Sequence, residues 1–480
     1  MKKFICVLAC LLSCFQLAFS QEVVLDFECE QESKRLAKET FSISNLENND
    51  LAIFVKEKKT IQAYLFDASF NEKVHFSFDS DKRNKYDKVL GTKVVGNQYS
   101  LVYSSSNRNK YCVFTVDFST KKYSVKEFKV DLPREALIKA INYKNTIYFL
   151  SSNADNEIII RELDDAYHLN VIKTHALDLE RSQRLSDLDY FSFDDLFSKG
   201  ESQVFEIVNT VPNSIELVSE DAKIYRNDDS LYLTFDYKRT KSTLMIVISL
   251  IDFNIQRKEF AYAIGKIGDY KRYNSYFLDG KLFQIASSNK EMSLRVKSMT
   301  DSVLKSFYYH KEAPIAIRNS IITQDGNTAV PWVTTRTFDE TSKFLRKISS
   351  GGIGVSAYKV GPLYHLTIGG TKEVRTSTPM VMPGMAGVTI ASLGSVAITI
   401  NPVAYSFSGY ESSKSTYFRT TLDAGFNHVP GATEENIFEK IKAYSALTEY
   451  CSNEDVFYHN NELLFGYLNQ KEGRYKLVKF

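Results

Sequence analysis

The amino-acid sequence predicts an all-β protein, a β-propeller of seven blades with four strands each. Two observations predict this fold: apolar strand segments of similar sequence recur along the chain, and each runs into a short turn, often rich in Ser and Asn. The first repeats are spaced by roughly fifty residues, a length that holds four short strands. One such sheet cannot bury both of its faces, whereas sheets stacked around an axis bury each other.

Seven hairpins carry the repeat. In three of them the first strands are near copies of one another, namely Leu101–Asn107, Ile147–Asn153 and Phe283–Asn289. Their second strands are Cys112–Phe118, Ile158–Leu163 and Met292–Val296. The other four hairpins are Leu51–Phe54 with Ile61–Phe66, Leu231–Leu233 with Leu244–Ile251, Ile353–Ile368, and Leu463–Phe465 with Leu477–Val478. Two separate β-sandwich domains would contain similar strands, but they would not explain the near copies.

The two ends of the chain are predicted to share one blade. The C-terminal hairpin, Glu462–Phe480, supplies only two strands, so Val23–Phe27 and Phe41–Leu46 are expected to complete its sheet. This closure would bring Cys29 towards Cys451, and we expect a disulfide there in an oxidising compartment. The alternative is that both cysteines are ordinary thiols.

The N-terminal residues Met1–Ser20 have the pattern of a cleavable signal peptide. Lys2 and Lys3 precede an apolar run too short to span a bilayer, and Ala18 and Ser20 provide the small residues before the cleavage point. We therefore expect an extracytoplasmic protein (periplasmic, on the outer surface or secreted) whose mature part, 21–480, is a single propeller domain. A signal anchor and lipid attachment at Cys14 are the alternatives.

Charge restricts the partners. Without Lys2 and Lys3 the chain has 58 basic and 58 acidic residues, and such a neutral balance disfavours nucleic acid or an anionic membrane as the main partner. We expect a monomer with no transmembrane span in the mature chain and no cofactor, and with an unidentified protein or surface component as its partner.

Two insertions and one helix interrupt the repeat. Residues 175–202 are rich in charged side chains and predict an insertion that lies on one face of the propeller. Residues 433–449 predict the single late helix, because Thr433 can cap it and Ile437, Ile441 and Tyr444 share one apolar face.

The second insertion, 376–410, contains no charged residue, although 25% of the whole chain is charged. It predicts either outer strands joined by a loop or a hairpin that touches a partner or lipid. Met380, Met382 and Met385 could contact that partner, or bind a soft metal such as copper. No histidine or cysteine lies beside these methionines to complete a ligand set, so we do not assign a metal site to them.

Catalytic motifs are missing from the sequence. There is no Gly-x-Ser-x-Gly, no His-Glu-x-x-His and no glycine-rich phosphate loop. We therefore expect no catalytic residue, and the preferred hypothesis is a non-catalytic module that binds or scaffolds a protein or cell-surface component. The alternative is an exported hydrolase or lyase whose active site lies at the axial pocket, where paired carboxylates would face one cavity.

The last third of the chain carries a resemblance to known proteins. Gly361–Gly370, the methionine-rich segment and Lys414–Phe418 are similar to uncharacterised secreted proteins of Gram-negative bacteria. The strand order resembles kelch and WD propellers, but the Gly-Gly and Trp-Asp signatures of those families are missing. The resemblance implies a secreted propeller and brings no activity with it.

Overall fold

The structure, a computed structural model, describes most of the chain from residue 21 onward. The described ranges are 21–29, 39–57, 60–79, 86, 88–105, 110–130, 132, 134–177, 204–227, 229–237, 240–325, 335–371, 401–411 and 415–480.

Thirty β-strands form within these ranges. In chain order they are β1 (Glu22–Glu28), β2 (Glu39–Ser44), β3 (Leu51–Lys56), β4 (Thr60–Phe66), β5 (Glu72–Asp79), β6 (Lys88–Val95), β7 (Gln98–Ser104), β8 (Tyr111–Asp117), β9 (Lys122–Phe128), β10 (Glu135–Tyr143), β11 (Thr146–Asn153), β12 (Glu157–Leu163), β13 (Leu169–Ala176), β14 (Phe205–Ile207), β15 (Ala222–Asn227), β16 (Ser230–Tyr237), β17 (Ser242–Ser249), β18 (Ile255–Ala261), β19 (Arg272–Leu278), β20 (Lys281–Ser287), β21 (Glu291–Ser298), β22 (Val303–His310), β23 (Ile322–Asp325), β24 (Thr335–Phe338), β25 (Ile353–Val360), β26 (Leu363–Thr371), β27 (Ser415–Leu422), β28 (Cys451–His459), β29 (Glu462–Asn469) and β30 (Arg474–Lys479).

These strands assemble into seven sheets, which place the chain in the all-β class of seven-bladed β-propellers. The sheets are the first (β2–β5), second (β6–β9), third (β10–β13), fourth (β14–β18), fifth (β19–β22), sixth (β23–β27) and seventh (β28–β30 with β1). Among the described strands every pairing is antiparallel except that of β14 with β15. The seven hairpins predicted from the sequence are all present as paired strands.

Burial explains why the central strands are nearly continuous apolar runs. In the first sheet, β3 and β4 are buried along almost their whole length, whereas the edge strand β5 is largely exposed. The fifth sheet repeats this gradient, from buried β20 to exposed β22. Strands covered on both faces need apolar side chains at every position, and edge strands do not.

The chain divides into two compact units. Among the described residues, the first unit comprises those up to Asp79 and those from Lys440 onward, and contains the first and seventh sheets. The second comprises the described residues from Tyr86 to Glu439, and contains the second to sixth sheets.

In the first unit the seventh sheet joins both ends of the chain, as predicted. β1 pairs with β30, so that Glu22 lies opposite Lys479 and Glu28 lies opposite Arg474. The prediction that Phe41–Leu46 also joins this sheet is wrong, because β2 pairs with β3 in the first sheet. A third C-terminal strand, β28, supplies the fourth strand of the seventh sheet instead.

A polar seam joins the two sheets of the first unit. Alternate side chains of β2 point to the same side of the strand and meet β28. The contacts are Thr40 Oγ1 to Asn453 O, Ser42 to Asp455, and Ser44 Oγ to His459 Nδ1 at 3.0 Å. Apolar packing accompanies the seam, since the Phe27 ring lies between those of Tyr64 (4.6 Å), Phe66 (5.0 Å) and Tyr475 (5.6 Å).

A fully buried ion pair lies inside the second unit. Lys223 Nζ of β15 donates to Asp236 Oδ2 of β16 at 2.9 Å, and both side chains are 0% exposed. Asp236 accepts three further hydrogen bonds, from Ser275 N (2.9 Å), Tyr262 OH (2.6 Å) and Thr243 Oγ1 (2.8 Å). Burial alone would raise the pKa of Asp236, but Lys223 and these donors together hold the pKa below its usual value.

Four helices lie in the described part of the chain, where the sequence predicted one. They are α1 (Ile215–Val218), α2 (Thr341–Ile348), α3 (Pro402–Glu411) and α4 (Ile437–Leu447). The predicted helix at 433–449 is α4, but Asn436 caps it instead of Thr433. Asn436 Oδ1 accepts from the amides of Phe438 and Glu439, and Glu439 Oε2 accepts from Asn436 N, which is a capping box.

Several predictions fall outside the described residues. These are the signal peptide at 1–20 with Cys14, and Met380, Met382 and Met385. Of the insertion at 175–202, only residues 175–177 are described, and the first two of these end β13. Of the insertion at 376–410, only residues 401–410 are described, and 402–410 belong to α3 instead of a strand. Asn401 accepts from Val403 N at 3.1 Å and precedes Pro402, a start signal that explains this helix.

Candidate functional site

A cleft opens between the second and third sheets, both of which belong to the second unit. Its volume is about 580 Å³, within the range of roughly 300–1,000 Å³ typical of ligand sites. β6 to β9 form one wall, and β11, β12 and the turn after β12 form the other. Neither wall was predicted from the sequence as a site.

Strand alternation produces a polar wall. On β7 the side chains of Gln98, Ser100 and Val102 share one face, and their partners on β8 are Asp117, Thr115 and Val113. Gln98 Nε2 donates to Asp117 Oδ2 at 3.1 Å, and the Ser100 and Thr115 hydroxyls lie 2.8 Å apart. The row continues to Ser124 on β9, opposite Thr115. Hydroxyl and amide groups therefore face the cleft over three neighbouring strands.

The same face becomes apolar towards the interior. Val102 and Val113 belong to a buried cluster that also contains Ile147, Phe149 and Leu163 of the third sheet. The two sheets are thus packed together at one end of their contact and separate at the other. The cleft has an apolar floor and a polar opening.

Charged groups surround the opening in compensating pairs. Lys93 of β6 forms an ion pair with Asp165, which lies in the turn after β12. Lys122 on β9 lies opposite Asp117. Of the five charged residues that line the cleft, two are lysines and three are aspartates. The lining therefore has a small net negative charge and no excess of cations.

Two of the aspartates are held ionised by hydrogen bonds. Burial raises the pKa of Asp117, but hydrogen bonds from Gln98 and from the amides of Thr120 and Ser119 outweigh it and lower the pKa. The backbone amide of His168 lowers the pKa of Asp164, helped by the side chain of Asn170. Carboxylates of this kind accept hydrogen bonds well, but they do not donate a proton near neutral pH.

Tyr167 fixes one side of the opening. Its backbone φ is +68°, and its ring stacks on Phe128 of the second sheet with centroids 5.9 Å apart. Lys126 Nζ lies 4.6 Å from the centre of the same ring. Tyr123, on β9, lies opposite Val116, and its ring meets that of Phe114 on the other face of the second sheet. The phenol of Tyr167 adds apolar surface and one hydroxyl to the site.

The structure does not join Cys29 to Cys451. No disulfide links them, although both lie at one end of the seventh sheet. Cys451 pairs with Asn469, Asn469 with Arg474, and Arg474 with Glu28, the neighbour of Cys29. Three strand spacings of about 4.8 Å separate the edge strands by about 14 Å, and a disulfide requires Cα atoms within about 7 Å. Burial raises the pKa of the Cys29 thiol to about 12, which keeps it protonated.

Buried carboxyls with a raised pKa lie outside the cleft. Burial raises the pKa of Glu220, next to Asp221, to about 7 in the second unit. In the first unit burial raises the pKa of Asp455 to about 7. Among the described residues no group of three metal-ligating side chains is placed to hold an ion. None of the described helices is long and apolar enough to cross a membrane.

Comparisons with known proteins find similarity at the level of structure. No protein-family profile matches the sequence, and no curated protein matches it. A member of the DUF4221 family from Bacteroides vulgatus aligns over 92% of this chain and 98% of its own, with 10% identity and a TM-score of 0.30. The Nup133 β-propeller domain of Vanderwaltozyma polyspora aligns over 96% and 99%, with 8% identity and a TM-score of 0.37. The Synechocystis apocarotenoid oxygenase aligns over 58% and 63%, with 9% identity and a TM-score of 0.27.

Proposed function

We propose that this protein is an exported, non-catalytic binding module, and that the cleft between the second and third sheets holds its ligand, a protein or a cell-surface component. One observation carries the proposal. The side chains of Gln98, Ser100, Thr115 and Ser124 form a polar row that faces the cleft. If the two sheets were packed together at this point, apolar side chains would be expected there instead. Polar groups that converge on an apolar floor are the usual composition of a ligand site.

The chemistry of the lining supports binding over catalysis. General acid–base catalysis needs one group that holds a proton near neutral pH and a second that accepts one. The pKa values of Asp117 and Asp164 are both lowered, and hydrogen bonds to turn amides occupy both carboxylates. Their local role is to fix the turns that shape the cleft.

Export is supported by the pattern of Met1–Ser20. Purification of the protein from its native cells, followed by N-terminal sequencing, tests this part. We expect a mature chain that begins at Gln21. A chain that retains Met1, or one that begins at a lipidated Cys14, would contradict the predicted cleavage.

A blocked cleft tests the binding part. Ser124→Arg places a long side chain in the opening, and Ser306→Arg makes the same change on the exposed strand β22 of the fifth sheet as a control. Both variants, with the unaltered chain, are measured by biolayer interferometry against immobilised neutral polysaccharides, acidic polysaccharides and extended peptides.

We expect at least one class of probe to bind the unaltered chain and the Ser306→Arg control, and to lose at least about tenfold in affinity with Ser124→Arg. Mass spectrometry should recover the probe unchanged. Cleavage of the probe would show an enzyme instead of a binding module. Binding that ignores Ser124→Arg would place the site elsewhere, and no binding by any class of probe would refute the proposal.

A further inference from the structure

The groups that the cleft offers to a ligand are side chains. β7 and β8 are paired on both sides, so their backbone N–H and C=O groups are already used within the second sheet. An extended peptide is held mainly by backbone pairing to a strand edge, and this wall is a sheet face. What remains are the amide of Gln98, the hydroxyls of Ser100, Thr115 and Ser124, and the carboxylate of Asp117.

The charge of the lining disfavours an anionic ligand. Lys93 is paired with Asp165, and Lys122 lies opposite Asp117. The three aspartates of the lining outnumber its two lysines, so the lining has no net positive charge to compensate a phosphate, sulfate or uronate. This excess of one negative charge also gives little preference for a strongly cationic ligand.

The combination of polar and apolar surfaces indicates the ligand class. A saccharide has hydroxyls around its ring edge and C–H groups on its faces, so it needs short hydrogen-bonding side chains beside apolar surface. Gln98, Thr115 and Ser124 provide the first, while Val102 and Leu163 provide the second. Tyr167 adds a phenol, which has an apolar ring and a hydroxyl in one side chain.

We propose that the cleft between the second and third sheets binds an uncharged oligosaccharide, the exposed part of a surface polysaccharide. This inference rests on the proposed binding function and narrows its ligand to one chemical class. Gln98 is the central polar contact, because its amide can donate to a sugar hydroxyl with one N–H while the other is donated to Asp117.

The test compares three classes of immobilised probe: neutral oligosaccharides (glucan, mannan and xylan fragments), acidic ones (polygalacturonate and heparin fragments) and an uncharged extended peptide. Gln98→Ala removes the central amide. Gln256→Ala makes the same change on the exposed face of β18 in the fourth sheet and is the control.

We expect at least one neutral oligosaccharide to bind, with affinity about five- to tenfold lower for Gln98→Ala, at least about tenfold lower for Ser124→Arg, and unchanged for Gln256→Ala. Binding of a neutral ligand should also change little between about 0.05 and about 0.5 M salt, because screening acts on charges.

The outcomes separate the two proposals. If acidic probes or the peptide bind in a manner sensitive to Ser124→Arg while neutral oligosaccharides do not, the saccharide inference is wrong and the binding function stands. Neutral oligosaccharide binding that neither variant weakens would show that the cleft is not the saccharide site. Absence of binding by all three classes would refute both proposals.

Discussion

Four aromatic residues adopt a left-handed backbone conformation at equivalent turns. The φ angles of Phe70, Tyr167, Phe253 and Phe426 lie between 57° and 68°. These residues lie in the turns after β4, β12, β17 and β27, respectively. Such a conformation is rare for a bulky residue and costs about 1–2 kcal/mol. It is compensated by packing, because each ring meets a ring of another sheet: Phe70 with His459, Tyr167 with Phe128, Phe253 with Tyr148, and Phe426 with Phe283.

The turn is fixed by an aspartate. In three cases, Asp67, Asp164 and Asp423, the carboxylate precedes the aromatic residue by three positions and accepts from backbone amides of the turn. The sequence shows the recurrent aspartates, but it does not show that the aromatic residue contacts another sheet. The spacing Asp-x-x-aromatic is the signal that could have revealed this contact.

Substitution of Phe426 measures both contributions at this turn. Phe426→Ala should destabilise the fold by about 3–5 kcal/mol, since the buried ring is lost. Phe426→Gly should be less destabilising than Phe426→Ala by about 1 kcal/mol, because glycine adopts φ +61° without strain. Urea unfolding followed by circular dichroism provides the comparison.

Phe283 provides a control at which the order of the glycine and alanine variants should be reversed. Phe283 lies in β20 with ordinary strand geometry, so Phe283→Gly should be more destabilising than Phe283→Ala. If glycine is also the worse substitution at residue 426, the left-handed conformation does not store strain there.

Removal of Asp236 should be among the most damaging single changes in the second unit. Asp236→Ala leaves Lys223 charged, fully buried and without its carboxylate partner, which should cost about 3–5 kcal/mol. Asp269→Ala provides the matched control, because its ion pair with Lys241 is largely exposed and should contribute less than about 1 kcal/mol. Equal urea midpoints for the two variants would contradict the assignment of the buried pair.

At the scale of elements, the polar seam between β2 and β28 makes the first unit sensitive to pH. Burial raises the pKa of Asp455, which faces Ser42, Glu39 and Tyr475, to about 7. Burial lowers the pKa of His459 in the same seam, although Glu462 opposes the shift. Burial therefore favours the neutral form of both groups in the folded protein.

The signs of the two effects are opposite. A raised carboxyl pKa means that the folded chain keeps the proton to a higher pH than the unfolded chain, so this contribution to stability is lost at about 1.4 kcal/mol per pH unit as the pH rises from about 4 to about 7. Above about pH 7 the group causes no further loss, because it is ionised in both states. A lowered histidine pKa means that the unfolded chain binds the proton first, so stability is lost as the pH falls below 6.5.

Asp455→Asn tests the first of these effects. Between about pH 4 and about pH 7 the unfolding free energy of the unaltered chain should include a loss that comes from Asp455, and Asp455→Asn, which cannot ionise, should lack this loss. His459→Gln should remove the opposing loss below pH 6.5 and leave the profile above about pH 7 unchanged. Identical slopes for Asp455→Asn and the unaltered chain between about pH 4 and about pH 7 would contradict the assignment.

Strands were easier to predict than helices, for a physical reason. The hairpin from Leu101 to Phe118 repeats a pattern of apolar residues that burial on both faces requires, and that pattern is local. The helix α2 has only eight residues, and its apolar side consists of Phe344, Leu345 and Ile348. Three apolar positions in so short a segment fit a strand as well as a helix. The sequence does contain the start signal of α3, Asn401–Pro402. It lies in the uncharged segment 376–410, whose composition predicted strands or a hairpin instead of a helix.

The site could not be predicted because its lining comes from separate strands. Gln98, Thr115 and Ser124 are unremarkable in sequence, and only the pairing of β7, β8 and β9 brings them into one row. Asp165 and Lys93 are far apart along the chain and meet through the contact of two sheets. The sequence did predict the hairpin of β7 and β8, which carries Gln98 and Thr115. The strands of the site were therefore predicted, whereas the set of side chains that line the cleft was not.

At the scale of the whole molecule, the N-terminal strand β1 completes the seventh sheet. Deletion of residues 21–29 removes Leu25 and Phe27 from the core of the first unit and leaves β30 as an open edge. We expect a lower melting temperature and aggregation, measured by differential scanning calorimetry and size-exclusion chromatography. Leu25→Ser with Phe27→Ser keeps the strand but removes the apolar contacts, and should be intermediate. A deletion variant that melts and elutes like the unaltered chain would contradict this role of β1.

The pairing of Glu22 with Lys479 also dictates the order of events during biosynthesis. Because the ribosome releases the N-terminus first, β1 has no pairing partner until β30 has been synthesised. Bringing ends so distant together carries a large loop-closure entropy, so this step is slow relative to hairpin formation. A chain that stops before β30 therefore leaves β1 with an unpaired backbone edge.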